Sequence, residues 1–215
     1  MRKTVLISAI LLMATTTPGA AQTWSDGIYL RLFGGASLLR NDNATLSGVG
    51  SGSVDYNTGF AWGGAFGYDI TRNISTELEL VYRSANVRRF GNGNIGTGGD
   101  YASLAVMGNA LYQFDGWDLG RGQRLRPFAG AGLGFVQEID FDITGGAGAG
   151  GYSRNNRFAW QVRGGLNWEL SRNWILSSEL RYFGVGTPTL NGPAGRTLEA
   201  GYNTFDVLFG LTYRF

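Results

Sequence analysis

The sequence predicts an all-β fold: a membrane-spanning antiparallel up-and-down β-barrel of eight strands, with short turns at one end and four long loops at the other. Three observations predict it. The last twelve residues alternate strictly, with Phe205, Val207, Phe209, Leu211, Tyr213 and Phe215 on one face and Thr204, Asp206, Leu208, Gly210, Thr212 and Arg214 on the other. A strand has period two, so this ribbon offers one face to an oily medium and one to a polar medium. The same alternation recurs along the chain, and the apolar-parity aromatics fall at two heights.

Composition narrows the chemistry. The 215 residues contain no Cys and no His, 36 Gly and only four Pro. Thiol nucleophiles, disulfides, the usual zinc sites and His-based triads are therefore absent. Without Arg2 and the single lysine, Lys3, 16 basic residues face 16 acidic ones. A balanced charge removes the case for nucleic-acid binding.

The amino terminus is an export segment. Met1-Arg2-Lys3 is a positive start, Val5 to Met13 is an apolar run broken only by Ser8, and Thr15 to Ala21 supplies Pro18, Gly19 and small residues. These features predict a secretory signal peptide over residues 1–21, cleaved after Ala21, and a barrel domain over 22–215. The apolar run is far shorter than the roughly 20 residues of a spanning helix.

The strands follow in order. Ile28, Leu30, Leu32, Gly34, Ala36 and Leu38 oppose Tyr29, Arg31, Phe33, Gly35 and Ser37; Leu39 to Thr58 reads as the first long loop. Phe60, Trp62, Gly64, Phe66, Tyr68 and Ile70 form the apolar side of the second strand, which turns at Thr71-Arg72-Asn73 into a third with Leu78, Leu80 and Tyr82 opposite Glu77, Glu79 and Arg83. Asn86 to Asp100 is the second long loop. Strand four sets Leu104, Val106, Ala110, Tyr112 and Phe114 against Ser103, Met107, Asn109 and Gln113. After a turn over 115–125, strand five places Pro127, Ala129, Ala131, Leu133 and Phe135 against Phe128 and three glycines. Glu138 to Arg157 is the third loop. Strand six carries Phe158, Trp160, Val162, Leu166 and Trp168 against Gln161, Arg163, Asn167 and Glu169; strand seven carries Trp174, Leu176, Leu180 and Tyr182 against Glu179, Arg181 and Phe183. Val185 to Gly201 is the fourth loop, before the terminal strand. Two hairpins echo each other: Phe60-Ala61-Trp62, Thr71-Arg72-Asn73, Glu79-Leu80 and Tyr82 return as Phe158-Ala159-Trp160, Ser171-Arg172-Asn173, Glu179-Leu180 and Tyr182.

Aromatic belts choose the orientation. Tyr68, Tyr112, Phe114, Trp168, Trp174, Tyr213 and Phe215 lie at the short-turn end, while Phe60, Trp62, Phe158, Trp160 and Phe205 lie at the long-loop end. Two belts mark the interfaces of a membrane barrel, so the apolar parity faces lipid. The inner parity then gathers Arg31, Glu77, Glu79, Arg83, Arg163, Glu179, Arg181 and Asp206 as a polar network in the lumen, with Arg126, Arg214, Asp69 and Glu169 nearer one end. About eight strands leave an interior that side chains can just fill, which predicts a plugged lumen. Gly146 to Gly151 fits G-x-G-x-x-G but lacks a βαβ context. Glu138, Asp140 and Asp142 read as an exposed acidic edge, and Arg88, Arg89, Arg154 and Arg157 as rim charges within reach of phosphates. No nucleophile and base form a coherent pair, so an enzyme is not expected, and neither a cofactor nor a metal.

The chain resembles the small eight-stranded outer-membrane β-barrels of Gram-negative bacteria, the opacity-type and outer-membrane-protein-A-type barrels. The residues that carry the likeness are Gly67-Tyr68, Asn109 to Tyr112, Arg126-Pro127-Phe128, Gly130 to Gly134, Ala159-Trp160-Gln161 and Arg181-Tyr182-Phe183. The resemblance implies an integral outer-membrane protein with short periplasmic turns and four extracellular loops. It also implies that Tyr213 and Phe215 form the assembly signal read by the barrel-insertion machinery, after delivery by periplasmic chaperones. Members serve the envelope or the cell surface. The implied function is envelope integrity and surface interaction through the loops, with lipid, lipopolysaccharide and host surface molecules as partners and a monomeric state. A narrow or gated porin-like channel is the alternative.

Overall fold

The computed structural model describes residues 27–40, 42–91 and 95–215. The expected signal peptide lies outside the described residues. Thirteen strands occur among the described residues, not the eight counted from the alternation. They are β1 (Ile28–Leu39), β2 (Asp42–Leu46), β3 (Gly50–Tyr56), β4 (Gly59–Asp69), β5 (Ile74–Phe90), β6 (Gly98–Gln113), β7 (Trp117–Gly120), β8 (Gln123–Thr144), β9 (Gly150–Glu169), β10 (Trp174–Gly186), β11 (Thr189–Asn191), β12 (Thr197–Glu199) and β13 (Tyr202–Arg214). All pairings are antiparallel. They run β13 to β1, β4, β5, β6, β8, β9 and β10, and β10 returns to β13, so the sheet closes on itself. Closure leaves these strands no free edge.

The added strands lie where the sequence reading placed loops. The first, expected over Leu39 to Thr58, holds the β2–β3 hairpin. In the second, β5 runs on to Phe90 and β6 starts at Gly98; in the third, β8 reaches Thr144 and β9 starts at Gly150. The fourth contains β11, a single 3-10 turn over Pro193–Gly195, and β12. The turn over 115–125 contains β7, paired with the start of β8. The extensions at the long-loop end lack a lipid-facing apolar parity, so the alternation that marks a membrane strand ends there while the hydrogen-bond ladder continues; β7 keeps one, with Trp117 and Leu119 exposed.

Burial is inverted relative to a water-soluble barrel. Leu32 is 71% exposed and Phe209 66%, whereas Arg83 and Arg181 are fully buried. The aromatics of both belts are exposed on the outside. Inside, small residues make room for large ones. A Cβ at Gly132 would stand 2.0 Å from Asn109 Oδ1, and one at Gly67 would enter the Tyr29 ring.

Beyond the second belt the inversion reverses. In β8 the inward residues have even numbers up to Val136 and odd numbers from Ile139, because Gln137 and Glu138 both point outward. The pairing with β6 slips at this point, and on β9 the pairing with β8 skips Asn156, which has φ 55°. Asn accepts the left-handed conformation more readily than most residues. One extra residue in a strand of period two sends every later side chain to the opposite face. β5 does the same at Arg88 and Arg89, which are both exposed ahead of buried Phe90, and its pairing with β3 is irregular there. As a result Ile139, Phe141, Ile143 and Tyr152 turn inward and pack with Leu46, Val54, Phe90, Tyr101, Leu190, Leu198 and Tyr202.

Candidate functional site

The polar interior is built from side chains that six strands of the ring point at one another. Glu79 on β5 takes both ends of the Arg181 guanidinium from β10, Nη1 to Oε1 at 2.7 Å and Nη2 to Oε2 at 2.9 Å. That fork is the strongest geometry available to an arginine and a carboxylate. Glu179 receives Arg31 from β1, Arg163 Nη2 from β9 at 2.8 Å, and Arg181 Nε at 2.8 Å. Glu77 receives Arg163 Nη1 at 2.6 Å and the Tyr29 hydroxyl at 3.1 Å. Three arginines thus meet three glutamates, and all six side chains are at most 4% exposed.

The network has walls and extensions that alternation alone did not single out. Gln161 Nε2 donates to Asn109 Oδ1 at 2.6 Å and lies 3.3 Å from Glu79 Oε1. The Phe33 ring lies under both Arg31 and Arg181, at 5.2 and 5.0 Å. All three sit on the polar parity, where a long amide or an inward aromatic among charges was the available signal. Arg83 and Asp206 form a separate pair, Nε to Oδ2 at 2.9 Å, which Ser37 extends by donating to Asp206 Oδ1 at 2.6 Å. The Arg83 guanidinium stacks over Phe183 at 4.0 Å. Toward the short turns, Arg214 meets Asp69 at 3.0 Å and Arg126 meets Glu169 at 3.6 Å, both partly exposed.

Between the charged cluster and the short-turn end lies a cavity of about 30 Å³ lined by Tyr29, Arg31, Glu77, Gln113 and Arg163. It has room for roughly one or two waters. At the other end, Tyr101 packs edge-on against Phe141 and Tyr202, at 4.6 and 4.7 Å between ring centres.

Outside, Glu138 and Asp142 are exposed on the polar face of β8, and no acidic group among the described residues has the arrangement of a metal site. Arg88 and Arg89 are exposed, while Arg154 and Arg157 are half-buried. Gly146 to Gly151 forms a hairpin tip and the start of β9, with no helix behind it to hold a phosphate. Tyr213 and Phe215 lie on the outer surface at the end of β13, with rings 5.1 Å apart.

A family profile described as "Outer membrane protein beta-barrel domain" matches residues 7–215. The chain belongs to this family. Members of the outer-membrane β-barrel family reside in the outer membrane and cross it with strands, which accounts for the greasy exterior around a charged interior. This member is 27% identical to an outer membrane protein of Gluconacetobacter diazotrophicus over an alignment covering 100% of this chain and 64% of that one. It therefore spans less than two thirds of that relative. Among solved structures it is similar to the Pseudomonas aeruginosa outer membrane protein OprG, with TM-score 0.58 and 14% identity over 89% of this chain and 98% of that one. It is also similar to Neisserial surface protein A, with TM-score 0.55 and 17% identity over 88% and 98%. At these identities the likeness concerns the fold.

Proposed function

We propose that this family member is a structural and surface protein of the outer membrane, not an enzyme and not an open pore. The closed ring of eight strands is its transmembrane unit, with short turns toward the periplasm and four long hairpins outside the cell. Supporting this reading is the double filling of the interior, by the Arg31, Glu77, Glu79, Arg163, Glu179 and Arg181 cluster and, beyond it, by the Tyr101, Phe141 and Tyr202 rings. A bidentate pair such as Arg181 with Glu79, buried on all sides, is costly to break and stops a water column. The hairpins carry the contacts with lipopolysaccharide and host surface molecules, and the barrel is a monomer. Tyr213 and Phe215 act earlier, as the recognition element for chaperone-delivered insertion.

Planar-bilayer recording tests the plug: the purified protein is expected to give no steady conductance. A steady current abolished by Glu79→Ala or Arg181→Ala would overturn this reading in favour of a gated channel. A deletion strain is expected to lose envelope tightness or surface adhesion.

A further inference from the structure

The connection from β6 to β8 is built differently from the other two short connections of the ring. β4 passes to β5, and β9 to β10, through Thr71-Arg72-Asn73 and Ser171-Arg172-Asn173, which close beside the belt aromatics Tyr68 and Trp174. β6 instead leads into the β7–β8 hairpin, in which Trp117 pairs with Leu125 and Asp118 with Arg124, while Arg121 stands at the tip. Strand alternation puts Leu125 on the outward side with Pro127, and its partner Trp117 shares that face. Trp117 and Leu119 are 60% and 52% exposed. The hairpin thus prolongs the lipid-facing surface of Tyr112 and Phe114, which neither three-residue turn does.

Between this hairpin and the Thr71-Arg72-Asn73 turn lies a cavity of about 250 Å³ lined by Arg72, Asn73, Asp115, Gly116, Arg124 and Arg126. Its frame is fixed. Arg126 donates from Nε to Phe114 O and from Nη2 to Arg72 O, both at 3.2 Å, and Asn73 exchanges two hydrogen bonds of 2.7 Å with the Gln113 backbone. Three guanidinium groups share the cavity with one carboxylate, Asp115. Asp118, opposite Arg124 in the strand pair, accepts from Gly120 N at 2.8 Å and makes no ion pair with it. Among the described residues the Arg72 and Arg124 side chains have no hydrogen bond or ion pair. The adjoining cavity, lined by Asp69, Arg126, Glu169 and Arg214, is neutralised from within by the pairs of Arg214 with Asp69 and Arg126 with Glu169. A positive surplus is left only behind the hairpin.

We propose that this cavity binds the phosphate of an anionic phospholipid whose acyl chains lie along Phe114, Trp117 and Leu119. Arg72 and Arg124 supply unspent guanidinium forks, which match a phosphate group by geometry as well as charge. The apolar part of the site is contiguous with the basic part: Asp115 and Gly116 line the cavity, and Phe114 and Trp117 on either side of them face outward. One molecule can therefore engage both. A free phosphate ion would use the arginines and leave the exposed Trp117 and Leu119 unexplained, whereas basic groups beside apolar ones at a membrane interface suit an anionic lipid. The assignment to the phospholipid leaflet rests on the reading that the short turns face the periplasm; binding itself does not depend on that reading.

Native mass spectrometry of the full mature chain, released from detergent micelles doped with phosphatidylglycerol, phosphatidylcholine or inorganic phosphate, tests the proposal. The protein is expected to retain one phosphatidylglycerol several-fold more than phosphatidylcholine. Arg72→Gln with Arg124→Gln should abolish that preference, and Arg88→Gln with Arg89→Gln, at the opposite end, should leave it intact. All four side chains are exposed, so both variants are expected to fold, which the heat-shifted gel mobility of the barrel checks. Trp117→Ser with Leu119→Ser is expected to weaken phosphatidylglycerol retention as well. Equal retention of the two lipids, or equal losses in the two arginine variants, would overturn the proposal. Retention of inorganic phosphate that excludes phosphatidylglycerol, with no effect of the Trp117 and Leu119 changes, would overturn the lipid assignment in favour of a free anion. The orientation is read separately: the chain has no Cys, so Arg121→Cys gives a single thiol that is expected to escape an impermeant reagent on intact cells. Labelling there would defeat the periplasmic reading while leaving lipid binding in micelles to stand or fall on its own.

Discussion

Between the aromatic belts the ring holds Arg31, Glu79, Glu179 and Arg181 inside and Leu32, Leu80 and Phe209 outside; beyond the second belt it holds Ile139, Phe141 and Tyr202 inside and Glu138 and Asp142 outside. The same sheet serves two solvents. In hydrocarbon the apolar side chains gain nothing by turning inward, and the interior is stabilised by charge pairing and hydrogen bonds. In water the hydrophobic effect returns and the extension packs like a soluble protein. The switch is made by single extra residues, Gln137 on β8, Asn156 on β9 and Arg88 on β5, which change the facing parity without breaking the strand. The difference teaches that the extension is a packed module continuous with the barrel.

The most disruptive way to break this contrast is to remove the switch. Deleting Gln137 together with Asn156 keeps β8 and β9 in step with each other but turns Ile139, Phe141 and Ile143 outward into water. Each buried apolar side chain is worth about 1.5–3 kcal/mol, so the extension is expected to lose roughly 5 kcal/mol or more. Protease cleavage within residues 138–157, with the belt-to-belt barrel still resistant, is the expected readout; a barrel lost along its whole length would show that the two zones are not separable.

A smaller effect is expected from the charged zone. Glu179→Ala leaves Arg31, Arg163 and Arg181 without a shared partner in a buried site. Breaking one side of a buried pair costs about 3–5 kcal/mol, to be read from urea unfolding of the barrel in lipid vesicles. Protease resistance of the extension under native conditions is expected to persist, since its core contains no member of that cluster.

The smallest effect sharpens the contrast through pH. Asp140, on the extension, has its pKa pushed up to about 6 by partial burial and by the charges of Glu138, Asp142 and Asp100. The folded extension holds this proton more tightly than the unfolded chain, whose carboxyl titrates near 3.8. Stability from Asp140 is therefore greatest at low pH and declines as pH rises from about 4 to about 6. Amide hydrogen exchange in the β8–β9 hairpin, corrected for intrinsic rates, is expected to be slower at pH 5 than at pH 7.5. Asp140→Asn should remove that dependence.

Much of the membrane zone was legible in the sequence because a strand has period two and a bilayer sorts side chains strongly. Every residue assigned inward from Arg31 to Arg83 and from Glu179 to Asp206 was a choice between two faces, and one face was plainly unfit for lipid. The pairing was not legible. Alternation says that Arg31 and Glu179 point inward, but not that residues 148 positions apart meet across the lumen. Nor does alternation reveal Gln161 as the bridge between Asn109 and Glu79, because any inward amide reads alike.

The sequence alone determined that this chain is a two-faced ribbon with oily and charged sides, since local geometry fixes side-chain direction as long as no residue is added to the strand. Tertiary structure decided which charges pair, how far the strands extend and where inside becomes apolar. These depend on ring closure, register and bulges, which are set by contacts between strands distant in the chain and by where the surrounding medium changes from lipid to water.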